Sequence, residues 1–147
     1  LLMKNINKEF FYFKKIKDSC DDEIESIAKN LKLTKPEVDI LIFLINNKEN
    51  RGCDICDFRG FSKSYVSKAV NKLLKRGYIT IKQDEKDKRY QHIIINAKAK
   101  KTIKIINNNQ KEIINRMFKG ISEEELNNFK LVINKISQNL ERKWKHV

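Results

Sequence analysis

Residues 61–89 read FSKSYVSKAVNKLLKRGYITIKQDEKDKR, and this stretch decides the fold. Ser62 is placed to cap a helix, because its hydroxyl accepts one of the orphan amide protons of a first turn. Val66, Ala69, Val70, Leu73 and Leu74 then recur on one helical face. Lys63, Ser64, Tyr65, Ser67, Lys68, Asn71 and Lys72 fall largely on the other. Lys75 and Arg76 sit in the last turn, where cations suit the negative end of the helix. Gly77 follows as the residue that accepts a left-handed cap. Two β-rich runs come next, Tyr78–Lys82 and Tyr90–Asn96, separated by a turn, Gln83 to Arg89, too polar to be buried.

Helix, turn and charged hairpin in that order make a winged helix. The helix is sized for the major groove, and the hairpin lies along the backbone or enters the minor groove. Asp54-Ile55-Cys56, Gly60-Phe61-Ser62-Lys63-Ser64-Tyr65-Val66-Ser67, Leu73-Leu74-Lys75-Arg76-Gly77-Tyr78-Ile79 and Asp87-Lys88-Arg89 stand in an order and spacing that resemble the MarR family of bacterial transcription regulators. Ile95-Asn96-Ala97 is similar to a form seen in the staphylococcal SarA branch. The resemblance covers nearly the full chain. It implies a mainly α fold with a small β-hairpin wing. A winged helix-turn-helix lobe at 34–96 is then flanked by dimerisation helices at 1–33 and 97–147, within a single domain of 1–147.

The same resemblance implies DNA contacts from a recognition helix, through Ser62, Lys63, Ser64, Tyr65, Ser67, Lys68, Asn71 and Lys72. Wing contacts would come from Lys82, Lys86, Asp87, Lys88 and Arg89. Each residue also has a plainer reading. Exposed lysines are commonly solvated charges. The serines serve equally as a cap and exposed filler, and Tyr65 either packs on its own lobe or reaches a thymine methyl or phosphate. Asp87-Lys88-Arg89 is more specific, since it matches the family's Asp-x-Arg wing motif. Asp87 would orient the Arg89 guanidinium, so that less side-chain entropy is lost when the cation enters a narrow minor groove. No arginine precedes Arg76 on the reading face, so bidentate guanine contacts are poorly supplied and phosphate and groove shape carry more of the recognition. The family's Leu-Thr…Gly after the wing becomes Ile95-Asn96…Ala99, in which Asn96 keeps a capping side chain for the next helix.

Composition agrees with a polyanion partner. The chain has 147 residues, a formal charge of +13 and an isoelectric point near 9.7. From Ser62 to Tyr90, nine basic residues stand against three acids, leaving a local excess of six. Phosphate neutralisation by such charges releases counterions and supplies much of the affinity. The longest nearly apolar run, Val38–Ile45, contains Asp39 and is far shorter than the roughly 20 residues of a membrane span. No leader pattern is recognised, and it is open whether Leu1 and Leu2 are native, since Met3 also suits a start. An odd number of cysteines, three, suits a reducing cytoplasm.

Cys53-Asp54-Ile55-Cys56 is a C-x-x-C pair, read either as buried packing, as a redox switch or as half a zinc site. A structural zinc needs four ligands, and Cys20, His92 and His146 are scattered. No cofactor is expected. An enzyme is not expected either: Asp21-Asp22-Glu23 and Glu123-Glu124-Glu125 fall at or near helix starts, and no phosphate-cradling glycine loop or catalytic triad order stands out. A winged module that has lost DNA binding would carry neutral or acidic residues where Lys63, Lys68, Lys72 and Arg89 stand.

The flanks read as helices. Ile6, Phe10, Phe13, Cys20, Ile24, Ile27 and Leu31 step by three and four, interrupted at Lys17, over about Asn5 to Leu31. Thr34-Lys35-Pro36-Glu37 is a capping box that starts a second helix, with Val38, Leu41, Ile42 and Ile45 as its buried side. Ala99, Ile103, Ile106, Gln110, Ile113 and Met117 form one late seam. Leu126, Phe129, Ile133, Ile136 and Leu140 form another, capped at Ser122 and anchored by Trp144. Three seams at the two ends exceed what one small lobe covers. They predict a homodimer, a self-contained bundle being the alternative. The expected function is a cytoplasmic repressor binding duplex DNA as a homodimer at a pseudo-palindromic operator, with room for a small-molecule effector. The alternative is a redox-responsive regulator of the same fold that switches through Cys53 and Cys56.

Overall fold

The computed structural model describes residues 2–144, with side chains described from 7 to 140. The elements are α1 (Leu2–Leu31), α2 (Lys35–Asn46), α3 (Gly52–Arg59), α4 (Lys63–Lys75), β1 (Ile79–Gln83), β2 (Gln91–Ile95), a short 3₁₀ turn (Ala97–Ala99), α5 (Lys100–Met117) and α6 (Glu123–Trp144). They are mainly helical with a single two-stranded antiparallel hairpin, the winged-helix architecture. The chain divides into two compact units, Leu1–Ile113 and Ile114–Val147.

The first unit is built around α2. Sequence spacing gives α2 one buried side, at Val38, Leu41, Ile42 and Ile45. The structure corrects this: every residue from Glu37 to Phe43 is buried, and Ile45 is half-buried. Helices α1 and α4 and strand β2 all pack on α2, so no side of its central turns is left to solvent. Phe43, Ile40, Leu41, Ile55, Leu73 and Ile79 are the largest fully buried apolar residues of this lobe. Burying such side chains stabilises by about 1.5–3 kcal/mol each.

Two of the buried residues of α2 are carboxylates. Glu37 Oε2 accepts the Thr34 amide and hydroxyl, both at 2.8 Å, and Oε1 accepts Arg76 Nε at 2.6 Å. Arg76 also donates to the Lys32 carbonyl at 3.1 Å. Arg76 therefore clasps the α1–α2 turn. To its expected place at the end of α4 the structure adds a structural role. Burial alone would push the Glu37 carboxyl up, but the Thr34 amide, the Arg76 guanidinium and the Thr34 hydroxyl together hold it below its ordinary value.

Two residues on, Asp39 is also fully buried. Its Oδ2 accepts Tyr65 Oη at 2.7 Å and Lys35 Nζ at 2.8 Å, and its Oδ1 lies 3.4 Å from Arg59 Nη2. The Tyr65 ring lies 4.6 Å from that of Phe61, and the Arg59 guanidinium lies over Phe61. Of the two readings of Tyr65, the structure shows the packing on its own lobe. Burial, with the bond to Asp39, pushes its hydroxyl well above the usual phenol value.

Helix ends follow local chemistry. Ser62 Oγ accepts the Tyr65 amide at 3.1 Å. At the other end of α4, Tyr78 N donates to the Leu73 carbonyl and Gly77 N to that of Leu74. This paired closure needs the left-handed residue that Gly77, at φ 72°, provides. Asn96 stands at the N-cap of the 3₁₀ turn, but its side chain makes no cap bond there. Its Oδ1 accepts Thr80 Oγ1 at 2.6 Å and its Nδ2 donates to the Gly77 carbonyl at 3.1 Å, so its side chain braces the base of the wing. Ser122 does cap α6, accepting the Glu125 amide while Glu125 accepts the Ser122 amide.

The flanking seams divide into covered and uncovered parts. On α1, Ile27 is buried and Ile24 and Leu31 pack against the core, whereas Phe10, Phe13 and Ile16 are exposed. Ala99, at the end of the 3₁₀ turn, and Ile106 on α5 are buried. In the second unit, Phe129, Ile136 and Leu140 of α6 are exposed, and Leu126 and Ile133 are half-buried. The expected contributions of Ile6, Trp144 and His146 lie outside the described side chains.

The buried carboxylates generate two predictions. Glu37→Gln should cost about 1–3 kcal/mol in urea denaturation, because Arg76 keeps partial access to water when its partner is neutralised. The depressed Glu37 contributes stability that is complete above its ordinary value of 4.5 and is lost as pH falls through the lower folded value. The variant should therefore show a flatter acid limb. Tyr65→Phe should cost about 1.5–3 kcal/mol in the same assay, as for a bond to a charged acceptor, while duplex DNA affinity measured by anisotropy stays within about twofold.

Candidate nucleic-acid interface

With Val66, Ala69, Val70 and Leu73 turned into the core, α4 leaves Lys63, Ser64, Ser67, Lys68, Asn71 and Lys72 exposed. These are the residues of the sequence-predicted recognition face other than Tyr65 and the capping Ser62. They present cations, hydroxyls and one amide along a helix held at both ends by α2.

The wing continues that surface. Strands β1 and β2 pair from Ile79–Ile95 to Gln83–Gln91. A bridge between Arg51 and His92 adds one residue of the α2–α3 connection beside β2, a feature that periodicity does not reveal. The tip is ordered by Asp84, whose Oδ1 accepts the amides of Lys86 and Asp87, both at 2.8 Å. Its Oδ2 meets His92 Nε2 at 2.8 Å, while His92 Nδ1 meets Asn50 Oδ1 at 2.6 Å. The His92 bond, with the Asp87 and Lys86 amides, draws the Asp84 carboxyl down to about 2. Gln83 Nε2 closes the turn on the Lys88 carbonyl at 2.6 Å.

Asp87 and Arg89 stand at this tip. Arg89 Nε lies 3.0 Å and 3.2 Å from the two Asp87 oxygens, Nη2 lies 2.7 Å from Oδ2, and the Arg89 amide donates to Oδ1 at 3.0 Å. The guanidinium bond, seconded by the amide, holds the Asp87 carboxyl below its ordinary value. The Arg89 side chain remains 85% exposed. Asp87 thus fixes the direction of a cation that still faces solvent. Lys86 and Lys88 flank it, exposed, and Lys82 stands 3.8 Å from Glu85.

The other arginines of residues 34–96 serve the scaffold. Arg51 is held by Asp54 and lies 4.7 Å over the Tyr90 ring, Arg59 faces Asp39, and Arg76 pairs with Glu37. Sequence reading found Glu37 as the capping partner of Thr34, but it did not single out Asp39, Asp54, Asp84 or His92 as positioning groups. For Asp39 a signal existed, because an aspartate inside an apolar run is rarely buried without partners.

Cys53 is exposed and Cys56 half-buried, and both are free thiols. They line a cleft of about 400 Å³ between α3, α4 and the wing, together with Lys63, Ser67, Asn71 and Ile81. Among the described residues, no group of three or more His, Cys, Asp or Glu is arranged to hold a metal ion. No described helix is long and apolar enough to cross a membrane.

Comparison with known proteins agrees with this geometry. Residues 31–89 match the model of the MarR family. No curated protein matches the sequence. Among solved structures, the chain is similar to a putative MarR family transcriptional regulator from Listeria monocytogenes complexed with 26mer DNA, at 21% identity and a TM-score of 0.80, covering 92% of this chain and 90% of that one. A MarR protein from Peptoclostridium difficile is 25% identical, with a TM-score of 0.73 and coverage of 95% and 90%. Bordetella bronchiseptica BpsR, whose DNA binding is regulated by 6-hydroxynicotinic acid, is 14% identical, with a TM-score of 0.68 and coverage of 88% and 98%. Residues 31–89, the segment that carries the helix-turn-helix and the wing, match the MarR family of transcriptional regulators, and the chain shares the fold of solved MarR structures.

Proposed function

We propose that this protein is a cytoplasmic, homodimeric repressor that binds a pseudo-palindromic DNA operator. The observation that carries the reading is the pairing of Asp87 with an outward-facing Arg89 beside the uncovered polar face of α4. In this reading α4 enters the major groove. Ser64, Ser67 and Asn71 face base edges, while Lys63, Lys68 and Lys72 neutralise phosphates. Arg89 enters the adjacent minor groove, with Lys82, Lys86 and Lys88 over the flanking backbone. Arg89 is the most exposed of the lobe's four arginines and stands on the wing, so guanine contacts in the major groove are scarce and narrow, A·T-rich steps are favoured.

The dimer follows from the uncovered seams. Phe10, Phe13 and Ile16 on α1 are exposed, as are Phe129, Ile136 and Leu140 on α6. Helix faces with several large exposed apolar side chains are the kind of surface that a partner covers. A second copy supplies the same residues and gives the twofold axis that a palindromic site matches. Blocking polymerase access is then the simplest regulatory outcome. By analogy with the regulation of BpsR, a small-molecule effector acting on this affinity belongs to the same proposal.

Selection from a random duplex library should enrich an inverted repeat with half-sites about one helical turn apart. Sedimentation without DNA should give two chains per particle. The logarithm of affinity should fall linearly with that of salt, by about 0.9 per phosphate neutralised. A stable monomer, or salt-indifferent binding, would refute the reading.

Arg89→Ala should weaken binding to the enriched duplex by about 1–3 kcal/mol and relax its preference for A·T-rich flanks. Asp87→Ala should give a weaker version of the same defect. A double-mutant cycle between 87 and 89, with folding checked by thermal melts, should reveal coupling. Additive effects would reduce the wing to bulk charge.

A further inference from the structure

We propose that Cys53 and Cys56 form a dithiol site that reacts with low-molecular-weight disulfides, and that its closure loosens the wing. Three observations carry it. Both thiols are free and line the same open cleft, Cys53 exposed and Cys56 half-buried against the core. They stand three residues apart in the first turns of α3, where side chains at that spacing share a face. Between them lies Asp54, the buried carboxylate that ties α3 to the wing.

The tie runs through Arg51. Asp54 accepts the Arg51 amide at 3.0 Å, Nε at 2.9 Å and Nη2 at 2.7 Å. The Arg51 guanidinium lies over Tyr90, and its backbone pairs with His92. The neighbouring Asn50 carbonyl accepts the Ile93 amide at 2.8 Å. Residues three apart on a helix hold their Cβ atoms about 5–6 Å apart, whereas a disulfide draws them to about 3.8 Å. Bond closure must therefore tighten the turn that carries Asp54, and it shifts the anchor of β2.

The chemistry is a two-step exchange. The thiolate of Cys53, the exposed member, attacks one sulfur of the small disulfide. That S–S bond breaks, the first small thiol leaves and takes up a proton, and a mixed disulfide remains on Cys53. The Cys56 thiolate then attacks the Cys53 sulfur and displaces the second thiol. The two cysteines lose two electrons, and the small disulfide gains them.

The test uses the full chain carrying Cys20→Ser, with glutathione disulfide as oxidant. Peptide mass mapping should find loss of two hydrogens and a Cys53–Cys56 link, reversed by reductant. Amide exchange over residues 84–93 should then quicken at least about threefold. Further replacement of Cys56 by Ser should stop the reaction at the mixed disulfide and leave wing exchange unchanged. A persistent mixed disulfide without the link, a link that leaves wing exchange unaltered, or equal loosening in the Cys56→Ser variant would overturn the proposal.

These readouts do not involve DNA. The consequence for binding rests on the proposed function: oxidised protein should bind the enriched duplex at least about tenfold more weakly. Wing loosening with unchanged affinity would refute the wing's role in DNA binding and leave the dithiol site standing.

Discussion

Two buried carboxylates on one helix organise this molecule. Glu37 and Asp39 lie two residues apart on α2 and have no exposure to solvent. Glu37 holds Arg76, just past the end of α4, and Asp39 holds Tyr65 in its first turn. The recognition helix is thereby fastened at both ends to the centre of its lobe. A charge in such a place is costly unless it is met by partners, and removing one partner leaves the other exposed to that cost. Every buried side-chain polar atom among the described residues finds a hydrogen bond. The lobe is consequently fixed in geometry as well as packed.

The wing uses the same device nearer the surface. Asp84 orders the tip through backbone amides and His92, Asp54 anchors the neighbouring Arg51, and Asp87 directs Arg89. Each acid subtracts from the positive field of a basic protein, yet each gives direction to a donor. At the surface such pairs add little to stability. Their value lies in orientation, which lowers the entropy lost when a long cationic side chain becomes fixed on a partner. The contrast among the arginines follows: Arg51, Arg59 and Arg76 brace the lobe, and Arg89 alone among the four is aimed outward.

The α3 turn links these systems. It contributes Ile55 to the core, Asp54 to the wing anchor and two thiols to an open cleft. Three hydrogen bonds from Arg51 to Asp54 join that helix to the residue that pairs with β2, and Arg59 at its other end meets Asp39.

Much of the architecture was legible in the sequence because it rests on local physics. Helical spacing located α4, Ser62 and Gly77 marked its ends, and alternation with a polar turn located the wing. The Asp87–Arg89 pair was legible as well, since two residues of separation across a tight turn suffice to bring them together. The sequence did not determine the fate of side chains whose partners are far along the chain. Arg76 and Glu37 are 39 residues apart, and Tyr65 and Asp39 are 26. Tyr65 was open to two readings, and Arg76 had no visible partner, until folding placed a buried acid beside each. Asn96 was equally ambiguous, because an amide next to a helix start is a good cap in isolation, yet tertiary contact offered it Thr80 and the Gly77 carbonyl instead. Periodicity records which face of an element is apolar; which charged group is drawn inward depends on long-range pairing in a low-dielectric interior, and that was decided only by the tertiary structure.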